Sequence, residues 1–291
     1  MKSAKLISFR NRAVTAIAMM AFLGFLSYYF KEDGLMVFTV LLQAMMYQEM
    51  TTVIGGEFTN PLQKWWWFLS SLVVWNGPKV MPWKGTTFQA ISYGMTIASG
   101  IGATLQLNWT KSKAPAFREY IRQAAVVVLS CILVVLPASY WIATLEEFGM
   151  MWIFVPALYM IINDTMAYVG GQLIGKHALL PSISPKKTWE GFVVAALSTV
   201  GVAYWLGTTK SLDGVEVFKK LYPLGKVDGL AIAVFASLVA PFGGFLASII
   251  KRAYGQKDFG LVDRLDCQML LAPAIYFYLT LYKFSEGQVL D

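Results

Sequence analysis

Residues 122–144 read RQAAVVVLSCILVVLPASYWIAT, an apolar run whose only charged residue, Arg122, stands at its start. A helix that crosses a membrane needs about 20 mainly apolar residues, so this run predicts a spanning helix. Similar runs follow one another along most of the chain, at 13–30, 34–48, 65–76, 88–108, 149–170, 191–207, 229–250 and 267–283. The run at 65–76 is short for a full crossing and is compatible with a tilted or re-entrant segment.

The composition of the chain points to the same class of protein. Of the 291 residues, 57% are hydrophobic and only 14% are charged, and the mean hydropathy is +0.55. Because about 25% of the residues in a typical soluble domain are charged, this chain must bury apolar surface in lipid as well as in its own core. The sequence therefore predicts an all-α, polytopic integral membrane protein with about eight or nine transmembrane helices. We expect residues 1–291 to form a single membrane-embedded domain.

The distribution of Lys and Arg predicts how these helices are oriented. With nine spans, 16 of the 24 Lys and Arg residues fall on one side, in the N-terminus and the segments near 49–64, 109–122, 171–190 and 251–266. Positively charged loops face the cytoplasm, so we expect this side to be cytoplasmic. The net charge of +7 suits contact with anionic membrane lipids, and nothing in the sequence requires nucleic acid.

A first polar motif ends one of the apolar stretches and reads Ser182-Ile-Ser-Pro-Lys-Lys-Thr-Trp-Glu-Gly191. Pro185 is tolerated in the opening turn of a helix, and Ser184 before it is a favourable cap. The motif thus predicts a helix start with Lys186 and Lys187 beside free N–H groups that favour phosphate. Glu190 either orients a lysine or accepts a hydrogen bond from the turn. The only histidine, His177, is interpreted as an ordinary loop residue rather than a metal ligand.

A second polar motif follows the run at 229–250 and places three carboxylates, Asp258, Asp263 and Asp266, within nine residues. Magnesium is typically held by one or two carboxylates together with substrate phosphates. A solvated loop of mutually neutralising charges explains the same spacing equally well. The cations that either bind phosphates or pair with these acids are Lys251, Arg252, Lys257 and Arg264.

One carboxylate, Asp164, lies inside an apolar run, where ionisable groups are costly and usually functional. Helical spacing puts Tyr168 on the same face, which predicts a polar cavity. The alternative is a structural carboxylate paired with a neighbouring helix. Glu49, at the end of the second run, has a weaker claim to function, since it also fits an interfacial position.

Taken together, these residues resemble a known family. Ser184-Pro-Lys-Lys-Thr-Trp-Glu-Gly191, followed by Lys251-Arg252, Lys257-Asp258 and Asp263-Arg-Leu-Asp266, is similar to the motifs of phosphatidate cytidylyltransferase, or CDP-diacylglycerol synthase. Asn163-Asp164, Ala240-Pro-Phe-Gly-Gly-Phe245 and Asp266-Cys-Gln268 resemble its eukaryotic-type branch. The resemblance covers most of the chain. It implies that CTP and phosphatidic acid react to give CDP-diacylglycerol and pyrophosphate, with Mg²⁺ as cofactor.

The resemblance also implies roles for individual residues. The metal would be held by Asp263 and Asp266, with Asp164 or Asp258 as a further ligand or orienting group. Lys251 and Arg252 would face the lipid phosphate. The residues implied for CTP and its phosphates are Ser184, Lys186, Lys187, Lys257 and Arg264.

The chain departs from this family in one loop. The family places an Ile-Pro-Gly-His-Gly-Gly segment between its Lys-Asp-Phe and Asp-Arg-x-Asp elements. Here only three residues separate Phe259 from Asp263, and His177 lies elsewhere in the sequence. We therefore expect lower turnover than in a chain with the family-length loop.

Two other classes of function stay open on the sequence alone. A CTP-dependent kinase of a long-chain isoprenoid alcohol would share the membrane embedding and the nucleotide. A non-catalytic scaffold or a transporter would also use an intramembrane carboxylate, although no pair of matching broken helices is visible. A homodimer is compatible with the sequence, and in a eukaryotic cell the expected location is the endoplasmic reticulum membrane.

Overall fold

The computed structural model describes residues 2–56, 58, 61–80, 85–109, 113–210 and 225–283. Nearly all of them are helical. The helices are α1 (Lys2–Gly55), α2 (Pro61–Val80), α3 (Gly85–Trp109), α4 (Ala114–Ser130), α5 (Leu136–Phe148), α6 (Met151–Leu173), α7 (Trp189–Lys210), α8 (Lys226–Leu238), α9 (Pro241–Ala253) and α10 (Val262–Tyr278). A π-helical turn, Cys131–Val135, joins α4 to α5, and another, Leu279–Lys283, follows α10.

The nine apolar runs are helical almost throughout, apart from residues 149–150 and the turn at 239–240 that divides the run 229–250 between α8 and α9, which confirms the all-helical membrane class. The first two runs share α1, and the non-helical Lys31 (φ 52°, ψ −139°) separates them. Four stretches of the described residues are long and apolar enough to cross a membrane: Ala114–Phe148, Met151–Leu173, Trp189–Thr209 and Lys226–Ala253. The count of eight or nine spans stays a prediction. From its polar composition, the stretch 208–228 is predicted to be a plain connecting loop, and most of it lies outside the described residues.

Two buried clusters hold the C-terminal helices together. In the first, side chains of α6, α7, α8 and α10 meet around Tyr159, Ala203, Ala236 and Leu271, all fully buried. The second cluster joins α1 to α9 and α10, because Met46 and Met50 pack with Ala247, Phe259 and Val262. Helix α10, which carries Asp263 and Asp266, is therefore packed against α6 on one side and against α1 on another.

The connection between α6 and α7 is a β-hairpin. Strand β1 (Ala178–Leu180) pairs antiparallel with β2 (Ser184–Thr188), with Ala178 opposite Thr188 and Leu180 opposite Ser184. The prediction that a helix begins at Ser184 and Pro185 is therefore wrong. Proline is tolerated in an edge strand as readily as in the first turn of a helix, so Pro185 is compatible with either structure.

Helix α7 begins four residues later than predicted, and its cap is Thr188. The Thr188 hydroxyl oxygen accepts a hydrogen bond of 3.2 Å from the N–H of Gly191, which is the bond that a helix-capping side chain makes. At this end α7 lies close to α6, because a β-carbon on Gly170 would come 2.8 Å from the β-carbon of Val194. The first motif is thus held at one end of a tightly packed helix pair.

Candidate active site

The hairpin is closed by Glu190, the second residue of α7. Its carboxylate accepts hydrogen bonds from the backbone N–H groups of Lys176 (3.1 Å) and His177 (3.2 Å). It also lies 2.6 Å from Nδ1 of His177. Of the two predicted roles for Glu190, the structure bears out the bond to the turn. His177 is an exposed loop residue whose ring is linked to this carboxylate.

Lys187 reaches from β2 to the second motif. Its Nζ lies 4.4 Å from the centre of the Phe245 ring on α9, a distance at which a cation is attracted to an aromatic face. Gly244 precedes Phe245 on α9. A β-carbon on Gly244 would lie 2.9 Å from Lys187 Nζ and 3.1 Å from Asp266 Oδ2. The ammonium of Lys187 and the carboxylate of Asp266 thus both lie over the backbone of Gly244.

Asp164 of α6 belongs to the same group of charges. It interacts electrostatically with Asp266 and with Lys187. The Asp164 side chain is nevertheless exposed, whereas its neighbour Asn163 is buried and faces Thr199 of α7. Asp164 thus lies at the surface of α6, within electrostatic range of charged groups on β2 and α10. The polar cavity predicted next to it stays a prediction.

Asp263 faces a different set of partners, one helical turn before Asp266. Its Oδ1 lies 2.6 Å from Nζ of Lys251, and both side chains are largely buried, with exposed fractions of 17% and 20%. Its Oδ2 accepts the backbone N–H of Phe259 at 2.9 Å. Asp258 accepts the same N–H at 3.0 Å. Lys251 is thus paired with a carboxylate, and the short loop is folded onto Asp263.

The N-terminus of α10 receives a carboxylate from α1. Oε1 of Glu49 accepts the N–H of Leu261 and Oε2 accepts the N–H of Val262, each at 3.1 Å. Gly260 makes room for this contact, because a β-carbon there would overlap the Glu49 carboxylate. Gly260 also has a φ of +54°, a conformation that glycine adopts at no steric cost.

The two motifs also touch directly, since Nε of Arg252 donates to the carbonyl of Ile183 in the hairpin at 3.4 Å. The remaining predicted site residues are less closely integrated. Ser184 is half-buried in β2, while the side chains of Lys186, Lys257 and Arg264 are exposed around the same end of the bundle. The structure therefore brings Asp164, Lys187 and Asp266 into one centre and Lys251 and Asp263 into a second beside it.

A divalent cation fits the first centre better than the second. Among the described residues no group of three or more His, Cys, Asp or Glu side chains could hold a metal by itself. Asp266 uses Oδ1 to accept the N–H of Cys267 at 2.7 Å. Its Oδ2 lies with Lys187 Nζ against Gly244, within electrostatic range of Asp164, whereas both oxygens of Asp263 already have partners. Two neighbouring carboxylates with a free oxygen suit Mg²⁺ completed by substrate phosphates.

Sequence reasoning assigned Glu49 only a weak claim and no role to Phe245, which lies beneath Lys187. Gly243 and Gly244 in a spanning helix predict close helix or head-group approach, and the structure places the backbone of Gly244 beneath Lys187 and Asp266. No local signal links Glu49 to α10, since 212 positions separate it from Leu261.

The comparisons with known proteins agree with this geometry. The Cytidylyltransferase family profile matches residues 10–282. Phosphatidate cytidylyltransferase 1 of Arabidopsis thaliana is 31% identical over 223 residues, covering 62% of this chain and 52% of that protein. The phosphatidate cytidylyltransferase of Encephalitozoon cuniculi is 37% identical over 187 residues, covering 56% and 47%. Phosphatidate cytidylyltransferase 1 of Homo sapiens is 34% identical over 187 residues, covering 48% and 40%.

This chain therefore spans about half the length of the relatives that it matches. The family match itself is not confined to one motif. It begins ahead of the first apolar run and ends within the π-helical turn after α10, so it includes both polar motifs and every helix that positions them. On that extent of match, the chain belongs to the cytidylyltransferase family.

Proposed function

We propose that this protein transfers CMP from CTP to phosphatidic acid and releases pyrophosphate. The observation that carries the proposal is the grouping of Lys187, Asp164 and Asp266, which three separate elements of a membrane bundle bring within electrostatic range of one another. A cation and two carboxylates are groups that would bind the phosphates of a nucleotide and a lipid, directly or through a divalent metal. The relatives named phosphatidate cytidylyltransferase support the choice of substrates.

In the proposed reaction a phosphate oxygen of phosphatidic acid attacks the α-phosphorus of CTP. A new P–O–P bond forms to the lipid, and the bond between the α-phosphorus and the bridging oxygen to the β-phosphate breaks. That oxygen leaves with the electron pair as part of pyrophosphate. Reactions of this kind are accelerated mainly by positioning and by neutralising charge on the phosphates. Lys187 would neutralise charge beside Asp266, and Lys186, Lys257 and Arg264 surround the same end of the bundle.

The proposed cofactor is Mg²⁺. Asp266 and Asp164 would hold it together with phosphate oxygens, and Asp263, also predicted as a ligand, would support Asp266 from the preceding turn. When bound, the ion would neutralise negative charge on the phosphates. Lys251, predicted to face the lipid phosphate together with Arg252, would instead fix Asp263, because the two side chains form a largely buried pair.

A labelling experiment tests the reaction and separates it from the kinase alternative. Purified protein in lipid nanodiscs is incubated with phosphatidic acid, Mg²⁺ and CTP labelled with ³²P at either the α- or the γ-phosphate. CMP transfer puts the α-label into the lipid product and the γ-label into pyrophosphate. An isoprenoid-alcohol kinase would instead transfer the γ-label to its lipid when that alcohol is supplied. Failure to label any lipid from α-labelled CTP would refute the proposal.

The orientation of the site is a further part of the proposal. We expect residues 182–190 and 251–266 to face the cytoplasm, because most of the Lys and Arg residues lie on that side. Single cysteines placed at Lys186 and Lys257, both exposed, can be tested with a membrane-impermeant thiol reagent on sealed, oriented vesicles. Labelling of both positions from the cytoplasmic side is the expected result. Labelling from opposite sides would exclude a shared site. Residence in the endoplasmic reticulum and a homodimer both stay predictions.

The short loop between Phe259 and Asp263 gives another prediction. Inserting a family-like Pro-Gly-His-Gly-Gly segment between Phe259 and Gly260 is expected to raise turnover, because added N–H groups could contact the nucleotide. One preorganised donor can be worth about 10²–10³ in rate. An insertion of the same length made only of Gly and Ser is the control for loop length. Equal rates for the original protein and both insertion variants would contradict the prediction.

A further inference from the structure

We infer that Glu49 is a positioning residue for the proposed reaction, acting on the metal-binding carboxylates of α10 from a helix more than 200 positions away in the sequence. This inference rests on the proposed function, and it begins from the unusual start of α10. The residue before the helix is Leu261, whose side chain has no oxygen and makes no capping hydrogen bond. The first N–H groups of a helix need acceptors from outside it.

Glu49 supplies an acceptor for the N–H of Leu261 and a second one for the N–H of Val262, which also bonds the Phe259 carbonyl at 3.1 Å. Its two carboxylate oxygens each accept one N–H, from Leu261 and from Val262, at 3.1 Å. A negative group at a helix N-terminus is also favoured by the helix dipole. Because both carboxylate oxygens of Glu49 accept hydrogen bonds, the contact fixes the orientation of the first turn of α10 as well as its position. Asp263 and Asp266 lie in the first two turns after this contact, so their positions depend on it.

The surroundings of Glu49 make this contact rigid. Met46 and Met50, on the same helix as Glu49, pack in one buried cluster with Phe259 and Val262. These two residues stand on either side of Gly260 and Leu261 in the sequence. Gly260 lies directly against the carboxylate, where any β-carbon would overlap it. Phe259 also donates its N–H to Asp263. Helix α1 thus touches the short loop and the start of α10 at the same point.

The chemistry of the site explains why such fixing matters. Phosphoryl-group transfer depends on placing carboxylates, metal and phosphates correctly, and a displacement of about 1 Å can lower the rate about 10²-fold. Among the described residues, the side chain that accepts the N–H groups of Leu261 and Val262 is Glu49, and Asp258 of the loop accepts the N–H of Phe259 instead. Glu49 therefore does for α10 what a capping residue within the loop would do.

The test compares Glu49→Ala and Glu49→Gln with Glu32→Ala and Glu32→Gln in full-length protein in nanodiscs. Glu32 is an exposed carboxylate on the same helix and serves as the matched control. We expect Glu49→Ala to lower kcat by about 10–100-fold with little change in KM for CTP. Glu49→Gln keeps one acceptor oxygen and should recover part of the rate. The Glu32 variants should match the original protein.

Hydrogen–deuterium exchange supplies a readout that does not depend on activity. Loss of Glu49 should speed exchange in a peptide covering residues 259–266 and leave peptides of α7 unchanged, with the midpoint of thermal unfolding shifted little. If the original protein transfers no CMP, the proposed function fails while this exchange result still decides whether Glu49 fixes the start of α10. Unchanged kcat and unchanged exchange in Glu49→Ala would overturn the inference.

A double-mutant cycle tests the same contact from the loop side. Gly260→Ala introduces a β-carbon at the Glu49 carboxylate, and its backbone strain is the same whatever residue stands at position 49. If Glu49 acts through this contact, Gly260→Ala should lower kcat more in the presence of Glu49 than in the Glu49→Ala background, where the new β-carbon meets no carboxylate. Equal, additive effects would show that the two positions do not interact and would contradict the inference.

Discussion

Replacing Asp266 by Asn is expected to lower kcat by about 10²–10³-fold while the protein remains inserted and folded. Asp266 is the residue through which the centre is assembled, because its Oδ2 lies beside Lys187 and its charge interacts with Asp164. The amide keeps the shape of the side chain and removes the charge that the metal and the ammonium require. Activity measured against Mg²⁺ concentration, alongside thermal unfolding, separates loss of metal affinity from loss of structure.

Asp263 should behave differently, although both carboxylates are predicted metal ligands. Asp263→Asn leaves Lys251 without its largely buried partner, so we expect a fall in both activity and stability. Adding Lys251→Met to Asp263→Asn removes the unpaired charge and should recover stability. It should recover little activity if Asp263 also binds the metal. Full activity in Asp266→Asn would refute the assignment of Asp266 as a metal ligand. Asp33 is an exposed carboxylate, and Asp33→Asn serves as the control variant.

The helical framework and the proximity of the two polar motifs could both be predicted from the sequence. Long apolar runs can be satisfied only by helices in lipid, which is why each predicted run is helical. The two polar motifs were each placed at the end of a run on the same side, and the structure joins them through Lys187 and Arg252. Charge and hydropathy patterns are formed by residues that are neighbours in the sequence, so they can be identified without knowledge of tertiary contacts.

The β-hairpin and the Glu49 contact could not be predicted in the same way. Ser184-Pro185 fits a helix start and an outer strand equally well, and the choice is made by pairing with Ala178–Leu180 and by Thr188, which caps α7 instead. The partner of Glu49 depends on how α1 packs against α10, which no local pattern encodes. The role of a side chain such as Glu49 therefore cannot be predicted from local sequence, because its hydrogen-bond partners are backbone groups from a distant part of the chain.

The glycine pair of α9 gives the sharpest test of that packing. A β-carbon at Gly243 would overlap the carbonyl oxygen of Asp266 and come within 3.2 Å of the Cys267 α-carbon. Backbone atoms cannot move aside without displacing the helix, so Gly243→Ala should separate α9 from α10. Overpacking of this kind typically costs about 1–3 kcal/mol, occasionally more. We expect a markedly lower thermal unfolding midpoint and the loss of most activity.

Gly244→Ala should have the opposite balance of effects. Its β-carbon would meet only the mobile ends of two side chains, Lys187 Nζ and Asp266 Oδ2, which can move apart. The protein should therefore stay as stable as the original, while activity falls about 10-fold or more because those two groups are displaced from each other. Gly201→Ala in α7, where a β-carbon meets nothing within 4 Å, is the matched control and should be neutral or slightly stabilising.

Thermal unfolding and CMP transfer are measured for all three variants. If Gly244→Ala proves as unstable as Gly243→Ala, the separation between helix packing and site chemistry along α9 is wrong. If it is both stable and fully active, Lys187 and Asp266 do not work as a pair, and the centre must be built around other charges.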